Sequence, residues 1–481
     1  MYLVIYMPMV LKLPTSKVPA IVLWVILFGL SACRNSPMND CTGELCLVSD
    51  SLSPPTQITT TTVSETSIQV TWTSTLQSDV ATVMIQYKKS DETDFATADE
   101  VSETQLTLNG LQANTTYNFR LRTQDGAMVS KFSEVVDGAT FSQEASAIAA
   151  GPFNHGCVVI EGGVKCWGEN EYGQLGNGTT TDSLALVNVS GITSGATAVA
   201  AGDGSSCAII NGGVKCWGYQ YGNVPTSVAG LTSGVTAITS GHNTRCAIVN
   251  GAAKCWGVNG SGALGNGTTA NSTNPVQVTG LTSGVTSIST SGGGHTCAVV
   301  NGGVKCWGDN GHGQLGNGTT TNATSPVQVT GITSGATAVS TSYVHSCAIV
   351  NGGIKCWGEN QFAGLGNGTT ISSYTPVNVS GVSSGATVLA SSEVNTCAVI
   401  SGAAKCWGNN GSGTLGNGTN NTSYIPVGVT GLTSGVTKLS GGESHFCAIA
   451  SGSAKCWGNN SHGQLGDGTT NNSNVPVNVI H

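Results

Sequence analysis

Charge is what this sequence has least of. Charged residues make up 9% of the 481, and the formal net charge is −8. A nucleic-acid surface needs clustered Lys and Arg, so that class of partner is excluded at the outset. Arginine is scarcer still, with only Arg245 occurring after residue 122. An enzyme site that clusters arginines, as sialidases do, therefore has no basis in the C-terminal two thirds. Neither Gly-x-Ser-x-Gly nor His-Glu-x-x-His stands in a suitable context, and the recurrent "GNGTT" lacks the Lys of a phosphate loop. What takes the place of charge is Gly, Thr, Ser and Asn beside an ordinary 39% of hydrophobic residues. That mixture fits many short strands joined by tight turns rather than long solvated helices.

The N-terminus has the pattern of an export signal. Lys12 and Lys17 precede the apolar run "VPAIVLWVILFGLSAC", Val18 to Cys33. The run is short of the roughly 20 apolar residues of a spanning helix and suits a signal h-region. The apolar stretch before Lys12 is unusual for an n-region and points to a start at Met7 or Met9. The ending "LSAC" resembles the lipobox of bacterial lipoproteins, and this resemblance makes Cys33 the lipidated anchor of residues 1–33. Arg34, where Asp would imply retention at the inner membrane, implies the outer membrane. Export brings an oxidising environment in which disulfides persist. Residues 34–52 read as a polar tether, with Cys41 and Cys46 available as a pair.

From residue 53 to 142, "SIQVTWTS" and "ATVMIQYKK" alternate apolar and polar residues, as half-buried strands do. "LTLNGLQANTTYNFRLRTQDG" adds two strands about a turn. The segment resembles a fibronectin type III domain: Trp72 stands where that family places its core tryptophan, and Leu111 and Tyr117 match its tyrosine corner. The resemblance implies a β-sandwich that spaces the next domain from the membrane.

Residues 143–481 repeat themselves seven times. Six repeats are about 50 residues long and the second is 11 shorter. Each carries two cysteines nine apart. The pairs are Cys157 and Cys166, Cys207 and Cys216, Cys246 and Cys255, Cys297 and Cys306, Cys347 and Cys356, Cys397 and Cys406, and Cys447 and Cys456. In "CAIVNGGIKCWG", Asn-Gly is a strong signal for a two-residue hairpin loop. With Asn351-Gly352 as that loop, Val350 faces Gly353, Ile349 faces Ile354, Ala348 faces Lys355 and Cys347 faces Cys356. Opposed antiparallel residues lie within disulfide reach. Each bridge closes so short a loop that its entropic contribution is about 2.5 kcal/mol at most. Cys-x8-Cys is not a zinc spacing, and His155, His295, His345 and His445, each two residues before a cysteine, read as turn-bracing rather than metal ligands. The predicted metal and cofactor content is nil.

Repeats of this length with several short strand patterns read as propeller blades. "H-x-CA", "CWG", "GQLGNGT" and "PV-V", nearly complete in Gly308–Val329, resemble the regulator of chromosome condensation repeats. The resemblance implies a seven-bladed propeller, so the expected fold class is all-β with an N-terminal sandwich. The family's nuclear exchange-factor activity is not carried over, because an exported lipoprotein meets neither chromatin nor a nuclear GTPase. Seven of the nine Lys or Arg in this part are the fixed Lys of "KCWG", whose stems are expected between blades.

In a four-strand blade, A to D, the A–B and C–D loops share one face. Those loops differ from repeat to repeat, whereas the B–C and D–A turns barely change. The varied loops hold Phe153, Tyr172, Tyr219, Tyr221, Arg245, Tyr343, Phe362, Glu393 and Glu443. Aromatic residues on loops of a rigid scaffold are typical binding anchors. The short second repeat predicts a notch beside Tyr219 and Tyr221, with Arg245 adjoining, as a ligand corner. The functional expectation is a monomeric outer-membrane lipoprotein that binds a protein or glycan through this face, and not an enzyme. The alternatives are an envelope hydrolase or lyase using paired carboxylates, and a structural surface protein.

Overall fold

A computed structural model describes residues 47–49, 52–64, 67–73, 81–112, 115–139, 144–152 and 154–480. The expected anchor Cys33, the signal segment, and the Cys41 and Cys46 pair lie outside the described residues, as does Phe153. The chain divides into two units, residues 1–142 and 143–481.

The first unit is a two-sheet sandwich. Strands Thr56–Ser64, Ser67–Thr73 and Gln105–Leu108 form one sheet. The second is built on Thr82–Lys89 and Thr116–Asp125, flanked by Ala96–Val101 and Val136–Ala139. Alternation along these strands puts Ile68, Val70, Trp72, Val83, Ile85, Phe119 and Leu121 in one core. Tyr117 is buried, and its hydroxyl accepts a hydrogen bond from the Gln112 amide at 2.8 Å, so the corner is made as the sequence pattern requires. Leu47–Val48, placed in the tether by composition, instead forms a short strand parallel to Met128–Val129. Free edge groups on Met128–Val129 outweigh the polar surroundings of the segment.

The second unit is seven consecutive four-stranded antiparallel sheets, each in the order A-B-C-D. Blade 1 has strands Ala145–Ala150, His155–Ile160, Gly163–Gly168 and Ser183–Asn188. The hairpin register pairs Val350 with Gly353, Ile349 with Ile354, Ala348 with Lys355 and Cys347 with Cys356. Asn351 (φ 51°) and Gly352 (φ 78°) supply the two positive φ values of a type I′ loop. The same register recurs in every blade, and each B-strand cysteine is bonded to the C-strand cysteine directly opposite. Cys157 is joined to Cys166, Cys207 to Cys216, Cys246 to Cys255 and Cys297 to Cys306. Cys347 is joined to Cys356, Cys397 to Cys406 and Cys447 to Cys456. Their Cα atoms are 4.0–4.1 Å apart, closer than the usual spacing of opposed strands. All fourteen cysteines are fully buried, so none is left as a free thiol or a metal ligand. The Lys amine can reach along its own blade. Lys355 opposes Asn378 of its own D strand and donates to its Oδ1 at 2.8 Å.

What joins blade to blade is the tryptophan of "CWG". Each of the seven is buried to within 1%. Six donate Nε1–H to a backbone carbonyl in the C–D loop of the preceding blade at 2.8–2.9 Å: Trp217 to Gln174, Trp307 to Ala263, Trp357 to Gln314, Trp407 to Gly364, Trp457 to Thr414 and Trp167 to Gln464. A glycine of the same loop lies flat on the indole. At Gly316 (φ +66°) an added Cβ would sit 2.6 Å from Trp357 Nε1, which explains the fixed "LGNG".

The loop is held in shape by one buried Asn. Asn310 Oδ1 accepts from the Leu315 amide at 3.0 Å, while its Nδ2 donates to the carbonyls of Thr319 (2.9 Å) and Thr321 (3.0 Å). Asn170, Asn259, Asn360, Asn410 and Asn460 are buried in the equivalent place. Asp467 stands in for the loop's second Asn, accepting from Asn460 Nδ2 at 3.1 Å and the Thr469 amide at 3.0 Å.

The repeated histidines also cross the seams. His155, His295 and His345 are buried and meet the hydroxyls of Ser206, Ser346 and Thr396 in the next blade at 2.9, 2.8 and 2.8 Å. They brace the seams, and His345 also braces its own A–B turn, its Nδ1 lying 2.7 Å from Ser342 Oγ. The inner A strands, each with a free edge, use neighbouring hydroxyls to satisfy amides: Ala150 donates to Ser440 Oγ at 2.9 Å and Thr341 to Ser289 Oγ at 3.1 Å.

The ring closes without exchanging strands. Blade 7 is made of four successive strands from Val436 to Asn478, and blade 1 starts afresh at Ala145. In blade 1, Leu186 stands where the other six blades have proline, and its amide donates to the Ile480 carbonyl at 3.0 Å. A proline there has no amide to give.

Replacing Asn310 by Ala leaves an amide and several carbonyls of a buried loop unmet and should cost about 2–3 kcal/mol in urea unfolding. Burial pushes His295, His345 and His445 down to about 3. Unfolded imidazoles bind protons near pH 6.5, so between about 6.5 and 3 the unfolded chain holds more protons. Unfolding midpoints should therefore be flat above pH 6.5 and fall steadily as pH drops toward 3, with a shallower fall in His345→Gln.

Candidate functional site

The A strands of all seven blades, with the A–B loops of six, line a central cavity of about 430 Å3. One aliphatic side chain per blade, among them Ile148, Val199, Ile288 and Leu439, lines its inner part. Four residues further along each strand the chain reaches the mouth, where Pro152, His242, Tyr343, Glu393 and Glu443 stand in successive loops. Asp203 occupies the same loop position in blade 2.

The mouth loops are tied to one another through backbone. The Tyr343 amide donates to the Glu393 carbonyl at 3.2 Å, and the Glu393 amide to the Glu443 carbonyl at 3.4 Å. On the other side the Asp203 amide donates to the His242 carbonyl at 3.2 Å. His242 Nδ1 lies 3.8 Å from Asp203 Oδ2, and its ring meets Tyr343 edge-on at 5.8 Å. That reach spans a whole blade. It is possible because blade 4 has Gly292 beneath, where a Cβ would lie 2.3 Å from the imidazole.

Charge at the mouth is poorly compensated. Partial burial raises the Asp203 carboxyl above its usual value, opposed by His242, Arg245 and Asn243. Partial burial also raises Glu393; Glu443 pushes the same way, and His242 opposes.

Of the residues singled out by sequence, Tyr343, Glu393 and Glu443 come together at the mouth. Tyr172 and Tyr219 form a separate pair, ring centroids 5.5 Å apart and edge-on, each more than 40% exposed. Phe362 is exposed on the blade 5 C–D loop, in contact with neither group by any ring interaction among the described residues. Asp203 and His242 complete the mouth. His242 is not legible in the sequence, because a lone His in "GHNTR" has no pattern until the ring is assembled.

Tyr221 and Arg245 belong elsewhere. Arg245 is in the B strand, Thr244–Val249, paired with Trp256, and only 1% exposed. Blade 2 lacks the "QLGNGT" loop that would cover Trp256. In its place the Tyr221 hydroxyl accepts Trp256 Nε1–H at 2.8 Å. The Arg245 guanidinium lies 5.1 Å from the Tyr221 ring centroid and donates to Ser205 Oγ. Burial lowers the Arg245 pKa, with Tyr221 and Asp203 opposing. The expected notch is thus filled from within: the deletion removed one cap on the indole, and two large side chains replaced it. At the equivalent B-strand position five other blades carry the smaller Gly156, Ser206, Thr296, Ser346 and Thr396, and blade 7 carries Phe446.

Among the described residues, no group of three or more His, Cys, Asp or Glu is placed to hold a metal ion. Asp467 is engaged within its own loop.

Stability separates these roles. Tyr221→Phe should lose about 1 kcal/mol and Arg245→Ala about 2–4 kcal/mol. Tyr219→Ala, at an exposed ring, should stay within about 0.5 kcal/mol of the parent in urea melts.

Comparison with known proteins agrees with this architecture. The fibronectin type III domain family matches residues 53–139. Regulator of chromosome condensation repeats match residues 161–209, 250–299, 301–349, 402–449 and 451–481, and a second family of that description matches 285–314. No curated protein matches the chain. The crystal structure of human WBSCR16 is similar at 20% identity and a TM-score of 0.58, covering 66% of this chain and 94% of that one. At that identity the likeness is one of fold. Titin domains A168–A170 align at 23% identity over 19% of this chain and 32% of that one, with a TM-score of 0.18. A computationally redesigned β-sandwich aligns at 27% over 19% and 93%, with a TM-score of 0.17. The chain joins a fibronectin type III domain to a propeller of regulator of chromosome condensation repeats.

Proposed function

We propose that this chain is an exported, lipid-anchored recognition protein whose propeller binds a protein or glycan at the mouth of its central cavity. Both domain types are generally binding modules rather than enzymes. The observation that carries the reading is the meeting of Asp203, His242, Tyr343, Glu393 and Glu443, from five different blades, at one concave opening. Residues distant in sequence converge there on a scaffold stiffened by disulfides within blades and indole bonds between them. The exposed pair of Tyr172 and Tyr219 extends the same loop face. Tyrosine suits such a surface, since it offers area and a hydroxyl while losing little conformational entropy.

The anchor at Cys33 and the outer membrane are part of the proposal and rest on the lipobox pattern and Arg34. The raised Glu393 carboxyl beside Glu443 is what keeps an envelope hydrolase or lyase as the second reading.

The test is cross-linking capture from envelope extracts with the full chain, made in an oxidising compartment. A Tyr172→Ala/Tyr219→Ala/Tyr343→Ala variant should fold normally and lose the captured partner. Equal capture by both would move the binding surface off this face. Cys33→Ser should abolish incorporation of labelled palmitate and release the protein from the membrane fraction; retention of both would remove the anchor.

A further inference from the structure

The cavity behind the mouth has a chemistry that narrows its ligand, taking the mouth as the binding face. No lysine or arginine is among the residues that line it. Its lining includes Ser240, Ser291, Ser391 and Ser392, small polar residues whose Oγ atoms are themselves buried. Above them stand the carboxylates of Glu393 and Glu443, with Asp203 adjoining, against one imidazole, His242. Tyr343 keeps 44% of its surface exposed at the same opening.

The acidic rim, the lining without Lys or Arg and the exposed tyrosine favour a cation. Carboxylates at a concave rim concentrate positive charge and repel anions. An exposed tyrosine face attracts an ammonium or guanidinium group. The aliphatic ring further in suits no second charge. Glu443 is four residues beyond Leu439, which lies in the strand Val436–Gly441, so the opening is up to about 13 Å deep, room for a long side chain to enter.

We propose that the central cavity takes a protonated amine or guanidinium group, presented as a lysine or arginine side chain of a protein partner. A protein source fits better than a free polyamine because exposed Tyr172, Tyr219 and Phe362 lie on the surrounding loops and offer contact to the chain that bears the side chain. An uncharged glycan would leave the carboxylates uncompensated. The step is recognition alone, with no bond made or broken.

The test uses the full disulfide-bonded chain and a labelled, end-capped glycine–serine peptide carrying two arginines, read by fluorescence anisotropy. The same peptide with citrulline in place of arginine removes the charge while keeping the shape. Citrulline should weaken binding about tenfold, and so should Glu393→Gln/Glu443→Gln. Both side chains are exposed, so the variant's thermal midpoint should match the parent's. Glu103→Gln/Glu134→Gln, on the fibronectin-like unit, removes the same net charge and should bind as the parent does. Failure of the arginine peptide to bind, equal binding of the citrulline peptide, or equal weakening in both variants would overturn the proposal. Displacement by spermidine at concentrations below those of the peptide itself would overturn the protein source. A partner captured through the tyrosine face yet indifferent to Glu393→Gln/Glu443→Gln would leave the recognition reading intact and sink the cation.

Discussion

Everything in the propeller depends on how the indole N–H of one blade is satisfied by the blade before it. A buried Trp must find an acceptor, and a blade rich in Gly and Thr has few large side chains with which to bury its faces. The C–D loop solves both problems. It crosses the seam, lays a glycine against the ring and turns a carbonyl to Nε1. The buried Asn exists to hold that loop in the needed shape, and the repeated His adds a second polar tie across the same seam. The disulfides do something different: they lock the B–C hairpin within a blade and never link two blades. Covalent order is local, and assembly of the ring is left to packing and hydrogen bonds.

The short second blade shows how strict that constraint is. Losing the loop did not open a cleft, because an unpaired buried N–H and a hole beside it would be costly. Tyr221 took over as acceptor and Arg245 filled the space, and its charge is tolerated through Ser205, Tyr221 and Asp203. Two of the three residues that looked most like a ligand corner, Tyr221 and Arg245, are therefore among the most structural in the chain.

What could be read from sequence was whatever depends on near neighbours. The Asn-Gly turn sets the cysteine register within twelve residues, so the bridge from Cys347 to Cys356 was legible, and with it the other six. So was the alternation that places Trp72 and Tyr117 in the sandwich. The loop Asn recurs in six repeats, and comparing repeats could have marked it as structural. Arg245 was not legible, since its burial depends on a deletion in the preceding blade that sequence reads only as missing surface. The mouth was half legible: strand direction put Tyr343, Glu393 and Glu443 on one face. Only the closed ring brings His242 over Gly292 to Tyr343, residues about a hundred positions apart.

The plain seam between blades 7 and 1 has a wider consequence. Many rings need their two chain ends to share a blade, which ties the number of units to the position of the termini. Here every blade is a finished segment of the gene, and the last meets the first much as any blade meets the next, with Leu186 as the local adjustment. Units can then be copied, shortened or lost in whole multiples without reworking the ends. The lineage of such a protein is free to vary its loops blade by blade, as a keyring varies its keys, while the means of holding them together stays the same.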